Sequence, residues 1–477
     1  MLAATGRAVL ALSYADNRLS QSRHMARGKG SSGEQQQQQQ QQCQATPCAL
    51  CIDGSQLEGG GQILRNAVAL SALLGSSIHV DKIRAGRKNP GLSPQHLTGL
   101  RLVEAICSGH LEGGAVRSTA ITFTPGATAA GTYTADTKTA GSCTLMVQQA
   151  LPCLLLARQQ AASRSTVSTL TLRGGTDASF APPIGYLQHV LLPTLQRLLG
   201  PAAAGLNLKL VRRGFYPKGG GEAVLQVPSL PAGQALPAWE RISRGRLLRI
   251  DGTAFTAGQL KPEVGSRMAR AAADCVRQAL MDRKQETVWG AAAALPTAAA
   301  AAAAVPSTGP NAAAAAAGGG AAAAGAGQPL AGVPAVVDVQ AVHEPPDHAF
   351  GDGGGIMLVA TTSTGCLFGA SALAERGVAA EAVGAAAADE LLEALQSGAA
   401  VDDWLQDQLI IFMAMAEGTS SMLCNEPTLH TRTAIAVMQQ LLPQVHFSIS
   451  TQPADGSSHT SSQQLYLIEC RGAGLRL

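Results

Sequence analysis

"STLTLRGG", residues 168–175, is an alternating run of β-branched and apolar residues that ends in Arg173 and two glycines. Alternation with a period of two predicts a half-buried strand, and the glycines predict a turn after it. "SIHVDKIRAG" (77–86) and "NLKLVRRG" (207–214) follow the same scheme. A strand, an arginine and a glycine turn that recur in this way indicate duplicated α/β units rather than one long sheet.

Helical stretches lie between these strands. "QILRNAVALSALLG" (62–75) and "SPQHLTGLRLVEAICSG" (93–109) carry apolar residues at helical spacing and end in glycine, a common helix stop signal. The alternation runs through residues 48–230, which we predict to be the first part of a main domain. Residues 399–477 return to this pattern and are predicted to complete that domain. The fold class is therefore α/β (α+β).

The middle of the chain, residues 231–398, is predicted to be a smaller inserted α/β domain. Within it, a helix over 261–281 is followed by a tract at about 291–332 that is almost wholly Ala, Gly and Pro. This tract is expected to be a flexible loop. Residues 1–47, with a glutamine run at 35–42, are expected to be a disordered tail, although their arginines and scarce acids also fit an organelle transit segment.

The net charge of +3 is unevenly distributed along the chain. Residues 1–47 contain five of the 35 Lys and Arg residues but two of the 32 Asp and Glu residues, so the remainder is balanced. A groove for long nucleic acid would show a basic surplus. If the protein binds RNA, we therefore expect it to hold a short end.

Membrane and metal signals are weak. "CTLMVQQALPCLLLA" (143–157) is too short to span a membrane and contains two glutamines. Cys48 and Cys51 form a CxxC, but at the start of a strand they would point to opposite faces, which argues against a metal site. The ten cysteines fit small buried apolar residues of a reducing compartment.

Three glycine triplets are candidate anion sites: "EGGGQ" (58–62), "KGGGE" (218–222) and "DGGGI" (352–356). None has the spacing of a P-loop or of a dinucleotide fingerprint. The first is the best candidate, because a helix begins directly after it and would direct backbone N–H groups at a phosphate. A tight turn is the alternative explanation for each.

"IRAGRKNPGLSPQH" (83–96) places Arg84 and Arg87 near a strand end, with Gln95 and His96 opening the next helix. Guanidinium groups on a glycine-containing loop suit a terminal phosphate, which they bind through paired hydrogen bonds. A solvated charge cluster explains the same residues equally well.

The stretch "GSCTLMVQQALPCLLLAR" (141–158) is apolar on nearly every side, which predicts a buried helix. Gln148 and Gln149 within it need hydrogen-bond partners, because an unsatisfied buried amide costs roughly 1–3 kcal/mol. Those partners are either structural or a ligand.

Trp404, Asp407 and Gln408 are spaced at i, i+3 and i+4 in "DDWLQDQLIIFMAMAEG" (402–418) and share one helix face. An aromatic ring, a carboxylate and an amide together could stack a base and hold its ribose or amino group. Core packing is the alternative.

His430 lies at the start of a predicted helix in "EPTLHTRTAIAV" (426–437). Its position four residues before Ala434 continues the apolar stripe, which favours a buried core histidine. The alternative is chemical, because a helix N-terminus disfavours imidazolium and keeps the ring neutral and nucleophilic. The same N–H groups would stabilise a phosphoryl group on the ring. Spacing leaves both interpretations open.

Seven stretches resemble, in order, the signature blocks of the RNA 3'-terminal phosphate cyclase family, closely over 48–230 and 400–477 and loosely in between. They are "DGSQLEGGGQILRNAVALSALLG", "IRAGRKNPGLSPQHLTGL", "AGSCTLMVQQALP", "LRGGTDASFAPP", "RRGFYPKGGGE", "WLQDQLIIFMA" and "PTLHTRTAI". The resemblance implies three repeated units, each a four-stranded sheet on two helices, with a smaller α/β domain inserted before the last.

The resemblance also implies an ATP-dependent ligase. His430 would attack the α-phosphate of ATP to give a covalent histidyl-AMP, AMP would pass to an RNA 3'-phosphate, and the 2'-hydroxyl would displace AMP to form a 2',3'-cyclic phosphate. A divalent metal, Mg²⁺ or Mn²⁺, would neutralise the triphosphate. The partners implied are ATP and RNA 3'-phosphate ends, in RNA processing, with no membrane.

Site residues follow from motif positions, as what the resemblance implies. The residues that look like the ATP pocket are Gln148, Pro182, Trp404, Asp407, Gln408 and Glu58. Glu58 also looks like the carboxylate near the metal. Those suited to the substrate phosphate end are Arg65, Arg84, Arg87, Gln95 and His96. Trp404 departs from the usual tyrosine but still offers a flat face for adenine.

Two other functions fit parts of the pattern. The non-catalytic branch of the family acts in small-subunit ribosome assembly and lacks the nucleophilic histidine, so His430 argues against it. Enolpyruvyl-type sugar-phosphate transferases share the repeated architecture, but the ordered blocks disfavour them. The expected location is the nucleus or cytosol, or an organelle if residues 1–47 are a transit segment.

Overall fold

The structure is a computed structural model. It describes the chain in four stretches: 49–158, 166–281, 335–452 and 464–476. The predicted tail over 1–47 and the Ala/Gly/Pro tract at about 291–332 lie outside these residues.

Strands and helices alternate along most of the described chain. The strands are β1 Leu50–Asp53, β2 Ile78–Asp81, β3 His110–Glu112, β4 Ile121–Thr124, β5 Thr132–Asp136, β6 Val167–Gly174, β7 Asn207–Gly214, β8 Gly221–Pro228, β9 Glu240–Arg241, β10 Leu247–Ala257, β11 Val336–Glu344, β12 Ala349–Phe350, β13 Gly353–Thr362, β14 Leu367–Leu373, β15 Thr419–Cys424, β16 His446–Gln452 and β17 Leu465–Arg471. The α-helices are α1 Gly61–Leu74, α2 Pro94–Ile106, α3 Cys143–Leu155, α4 Ile184–Tyr186, α5 Leu192–Leu199, α6 Pro262–Met281, α7 Ala380–Gln396, α8 Asp403–Met415 and α9 Leu429–Leu441. A π-helical turn, Leu187–Leu191, joins α4 to α5, and a 3₁₀ turn, Gly200–Ala203, follows α5.

Three of the four sheets share one strand order. The first is β1-β2-β4-β3, the second contains β5-β6-β8-β7, and the third is β9-β15-β17-β16. In each, the first pair is parallel and the next two pairs are antiparallel. The prediction of an α/β (α+β) fold is confirmed.

The fourth sheet, in the order β11-β10-β13-β14, lies in the inserted part of the chain. Helices α6 and α7 pack against each other and against its strands. Two short strands at its margins pair elsewhere, since β9 pairs with β15 in the third sheet and β12 pairs with β7 in the second. The first strand of the inserted sheet begins at Leu247. The sheet therefore starts later in the chain than residue 231, the predicted start of the inserted domain.

Local sequence explains the helix ends that matter for the site. Helix α1 follows the first glycine triplet and ends at Gly75, whose φ of 64° suits a residue without Cβ. Helix α8 begins after Asp402, whose side chain accepts a hydrogen bond from the backbone N–H of Leu405. Thr428 caps α9 in the same way. Side chains thus cap the starts of α8 and α9, whereas the start of α1 has a glycine at this position.

Two large apolar cores and a small cluster of Phe215, Phe255 and Ala257 stabilise the described part of the chain. The larger one combines buried residues of all three similar sheets and their helices, with α1 packed on α2, α3 and α9. The smaller one lies between the inserted sheet and helices α6 and α7. Among the helices that the structure describes, none has both the length and the apolar character needed to cross a membrane.

Candidate active site

His430 is the second residue of α9 and is exposed. The side chain of Thr428 caps this helix by accepting a hydrogen bond from the N–H of Thr431 over 3.1 Å. The interpretation of His430 as a buried core histidine is wrong, because the ring lies in the first turn, ahead of the buried residues that begin at Thr431 and Ala434. Its ring nitrogens are therefore accessible at the N-terminus of a helix, where positive potential favours an anion.

Asp407 of α8 links His430 to helix α1. Burial raises the pKa of the Asp407 carboxyl, while the nearby His430 and Arg65 lower it. Its Oδ2 accepts a 2.9 Å hydrogen bond from Nε2 of Gln62, and Oε1 of Gln62 accepts one from Arg65. Hydrogen bonds through Gln62 therefore connect the guanidinium of Arg65 to the carboxylate of Asp407.

Glu58 approaches the same helix start from the first glycine triplet. Its backbone N–H donates to Oγ1 of Thr433 over 3.2 Å, and that hydroxyl donates to the carbonyl of Leu429 over 2.7 Å. One carboxylate oxygen of Glu58 pairs with Arg87, whereas Oε2 is buried without a hydrogen-bond partner among the described residues. An unpaired buried carboxylate oxygen is unfavourable alone and suits a cation or a ligand donor.

The two loop arginines differ in what they contact. Nη1 of Arg84 donates to the carbonyls of Asn89 and Gly91 over 2.9 and 3.0 Å, so this side chain also braces its own loop. Arg87 reaches across to the backbone carbonyl and carboxylate of Glu58. The structure thus brings the predicted phosphate-end residue Arg87 against the predicted metal residue.

His96 lies beside these arginines with a defined hydrogen-bond role. Its Nδ1 accepts from the backbone N–H of Ser93 over 3.3 Å. Burial and, to a smaller extent, the charges of Arg65, Arg84 and Arg87 together lower the pKa of His96 to about 3. The ring is therefore neutral at pH 7. The neighbouring Gln95 points to α3, where its Oε1 accepts from the N–H of Ser142 over 2.6 Å.

Trp404 and Gln408 make structural contacts that the spacing did not reveal. Nε1 of Trp404 donates to Oε1 of Glu390 on α7 over 3.2 Å. Nε2 of Gln408 donates to the carbonyl of Trp404 over 2.6 Å, and its Oε1 is buried without a partner among the described residues. One polar atom on the face shared by Trp404, Asp407 and Gln408 is thus available to a ligand.

Pro182 and Gln148 lie on opposite sides of Thr144, in the loop before α4 and on α3. Oγ1 of Thr144 donates to the carbonyl of Pro182 over 2.7 Å, and Gln148 follows Thr144 by one helical turn on the same face. Gln148 is half-buried, whereas Gln149 is the buried amide, with Nε2 unpaired within the described chain. The structure gives no hydrogen bond from Gln148 to the other predicted residues.

Three residues with contacts in the candidate site were not predicted from the sequence: Gln62, Thr433 and Glu390. Gln62 and Thr433 stand inside the quoted blocks "EGGGQILR" and "PTLHTRTAI", and their polar side chains next to Glu58 and His430 were a usable signal. Glu390 sits on an Ala-rich helix of the insert, where nothing in the local pattern singled it out.

The arrangement combines cations, carboxylates and helix N-termini around an exposed imidazole, which suits a polyanionic ligand. A divalent cation fits the unpaired Oε2 of Glu58. Within the described parts of the chain, no three His, Cys, Asp or Glu side chains converge on a metal position. A Mg²⁺ ion held here would take its other ligands from phosphate oxygens and water.

Comparisons with known proteins agree on one family. A family model described as RNA 3'-terminal phosphate cyclase matches residues 56–449. The RNA 3'-terminal phosphate cyclase of Pyrobaculum neutrophilum is 35% identical over 426 residues, covering 89% of this chain and 99% of that protein. The protein of the same name from Drosophila melanogaster is 33% identical over 423 residues, covering 89% and 96%. A probable RNA 3'-terminal phosphate cyclase from Dictyostelium discoideum is 33% identical over 422 residues, covering 88% and 82%.

Proposed function

The chain belongs to the RNA 3'-terminal phosphate cyclase family, and from that premise we propose that it is a catalytic member. It would use ATP to convert an RNA 3'-terminal phosphate into a 2',3'-cyclic phosphodiester, as a ligase of RNA processing. The observation that carries this proposal is the exposed His430 on the first turn of α9, near enough to the buried Asp407 to lower the pKa of its carboxyl.

In the first step, a neutral ring nitrogen of His430 attacks the α-phosphorus of ATP. A P–N bond forms, the bond to the pyrophosphate oxygen breaks, and the ring gives up its N–H proton. Asp407 would orient the imidazole, because its own carboxyl is held by Gln62. The N-terminus of α9 would stabilise the phosphoryl oxygens that arrive on the ring.

ATP would lie between α8 and α3. Trp404 would offer a flat face to adenine, with Pro182 on the side of α3. Gln408 Oε1, which has no partner among the described residues, would accept from the base or ribose. Gln148 is proposed to contact the nucleotide from α3. Glu58 would hold Mg²⁺ or Mn²⁺, which supplies positive charge against the triphosphate when bound.

In the second and third steps, the RNA end is the reactant. An oxygen of the RNA 3'-phosphate attacks the phosphorus on His430, the P–N bond breaks and the ring takes back a proton as it leaves, giving RNA(3')pp(5')A. The adjacent 2'-hydroxyl then attacks the 3'-phosphorus with loss of its proton, and AMP leaves. Arg65, Arg84, Arg87, Gln95 and His96 would hold the phosphate end, and the neutral His96 can donate from Nε2 without adding charge.

The test is protein labelling. The protein is incubated with Mg²⁺ and ATP carrying label on the α-phosphate, and acid-labile, base-stable protein-bound AMP is measured. We expect label on the unaltered protein and none on His430→Ala. His446→Ala, which removes an exposed histidine at the start of β16, is the matched control and should retain the label.

Two results would contradict the proposal. Label that persists on His430→Ala would show that another residue is the nucleophile. A folded, unaltered protein that takes up no label would favour the non-catalytic reading, as a cyclase-like protein of small-subunit ribosome assembly.

A further inference from the structure

Three aromatic side chains are exposed to solvent among the described residues, in a chain that has few aromatics. Phe180 is 88% exposed, Tyr216 is 81% exposed and Phe350 is 44% exposed. All three lie at one end of the second sheet, in the loop after β6, in the loop after β7 and in β12. Exposed aromatics that gather in one place are typical of a binding surface.

Backbone contacts hold these three positions together. Phe350 pairs with Gly214 in the register of β12 and β7. The N–H of Thr176 donates to the carbonyl of Gly214 over 3.0 Å, which ties the loop carrying Phe180 to the end of β7. Tyr216 follows two residues later. A side chain at Gly220 would overlap the ring of Phe350. The loop that carries Tyr216 therefore packs directly against β12.

Phe180 has a backbone conformation that packing does not explain. Its φ is 62°, in the left-handed region that residues with a Cβ rarely adopt, and its side chain projects into solvent. Strain of this kind clusters at ligand-binding sites.

Positively charged side chains lie beside the exposed aromatic rings. The guanidinium carbon of Arg212 lies 5.6 Å from the ring centroid of Phe350, and its Nε donates to the carbonyl of Gly220 over 3.0 Å. Lys218 is exposed in the same loop. Arg213 does not belong to this surface, because it pairs with Asp177 and Glu344.

Packed loops connect these aromatic residues to the candidate active site. A side chain at Gly219 would collide with the carbonyl of Thr139, so the Tyr216 loop packs on the loop that precedes α3. Ser142 in that loop donates its N–H to Gln95, the neighbour of His96. A strand whose terminal phosphate sits at Gln95 and His96 would therefore leave the site toward the aromatic surface.

We propose that Phe180, Tyr216 and Phe350 bind single-stranded RNA by stacking on the bases 5' to the terminal phosphate. Stacking is sequence-tolerant, because every base has a flat face, and it suits a protein whose body is charge-balanced. Arg212 and Lys218 beside the rings would add contacts with the RNA phosphates, and these contacts weaken as salt rises. The proposal rests on the proposed function, since it takes the phosphate end to lie at His96.

The experiment compares 3'-phosphorylated RNAs of two lengths, a dinucleotide and an oligomer of about eight nucleotides, a length within the usual site sizes. The variants are Phe180→Ser and Tyr216→Ser, with Ile449→Ser as the control, because Ile449 is an exposed apolar residue on the third sheet. For both variants we expect the KM of the oligomer to rise about tenfold, the worth of one lost stacking contact. The KM of the dinucleotide and the labelling of the protein by ATP should not change.

Other outcomes overturn the proposal. An oligomer KM that is unchanged, or a rise that is equal for both lengths, would show that no upstream bases dock here. Reduced labelling by ATP would assign the surface to the nucleotide instead. If the unaltered protein takes up no AMP, the proposed function fails, but binding of the labelled oligomer measured by fluorescence anisotropy still tests the surface: equal affinity in the variants and the unaltered protein would refute it.

Discussion

The indole Nε1 of Trp404 donates a 3.2 Å hydrogen bond to Oε1 of Glu390. Trp404 lies on α8 of the third sheet's unit, and Glu390 lies on α7 of the insert. Burial raises the pKa of the Glu390 carboxyl to about 7. Through this hydrogen bond, the insert holds the indole ring that we propose to stack on adenine.

Glu390→Ala should weaken ATP binding, because it leaves the indole N–H without its acceptor and the ring free to rotate. A hydrogen bond is worth about 1 kcal/mol, so we expect the KM for ATP in protein labelling to rise about fivefold, with little change in kcat. Glu390→Gln keeps an oxygen acceptor and should restore the KM. Asp389→Asn alters the exposed neighbour on the same helix and is the control. Equal effects of the Ala and Gln variants would argue against an orienting hydrogen bond.

Glu390 should also make stability depend on pH. Its carboxyl has a pKa near 7 when folded, against an ordinary value of 4.5, so between these pH values the folded state holds a proton that the unfolded state has released. The free energy of unfolding contributed by this group therefore falls as pH rises from about 4.5 to 7.

Glu390→Gln removes this dependence. Urea denaturation at pH 5 and pH 8 should show that the variant gains stability relative to the unaltered protein at the higher pH. The comparison between the two proteins matters, because Asp402, whose pKa burial raises to about 6, contributes the same trend in both. A constant difference between the two proteins across this range would contradict a buried, protonated Glu390.

Glu58→Gln tests the metal assignment. The substitution keeps the shape of the side chain, but replaces the carboxylate whose Oε2 is buried and unpaired among the described residues. We expect the Mn²⁺ concentration for half-maximal labelling by ATP to rise tenfold or more, in line with changes near other metal sites. Direct Mn²⁺ binding, followed by its EPR signal, should weaken in parallel. Glu417→Gln, at an exposed ion pair with Arg476, is the control. Identical titrations would exclude Glu58 as a ligand.

Arg213 should anchor the insert to the second sheet. Its guanidinium pairs with Asp177 at 3.1 Å and Glu344 at 2.7 Å, and lies 3.7 Å from the ring centroid of Phe255. Arg213→Ala leaves two largely buried carboxylates without their partner, so we expect a loss of about 3–5 kcal/mol in urea denaturation. Arg249→Ala breaks half-exposed ion pairs and should cost no more than about 1 kcal/mol. Similar losses for both would contradict a special role for Arg213.

Much of the fold was predictable from periodicity. The alternation in "STLTLRGG" gave β6, and helical spacing with a terminal glycine gave α1 and α2. These signals are local, since each depends on residues within about two turns of one another. The pairings of β9 with β15 and of β12 with β7 were not predictable, because two-residue strands carry no period and their partners lie more than 130 residues away.

Motif positions supplied candidate residues for the site, but not the contacts between them. Motif positions named Glu58, Asp407 and His430, and the structure gathers them near one helix start. The apolar spacing around His430 favoured a buried side chain, which the structure contradicts. Such a spacing indicates which face of a helix is packed, but not at which residue the packed part begins. The contact between Glu390 and Trp404 depends on how two helices of separate sheets meet, which no local pattern encodes.

Strand β12 is only Ala349–Phe350, yet it completes the second sheet from within the insert. A shortened protein engineered without the insert would lose the pairing at Arg213 and Gly214, which extends the uncovered edge of β7, and an uncovered edge invites pairing between molecules. Transplanting the corresponding segment from a relative would succeed only if its own version of this dipeptide met β7 in the same alignment. The inserted segment thus supports the second sheet of the main domain. Its removal should cause aggregation before it abolishes catalytic activity.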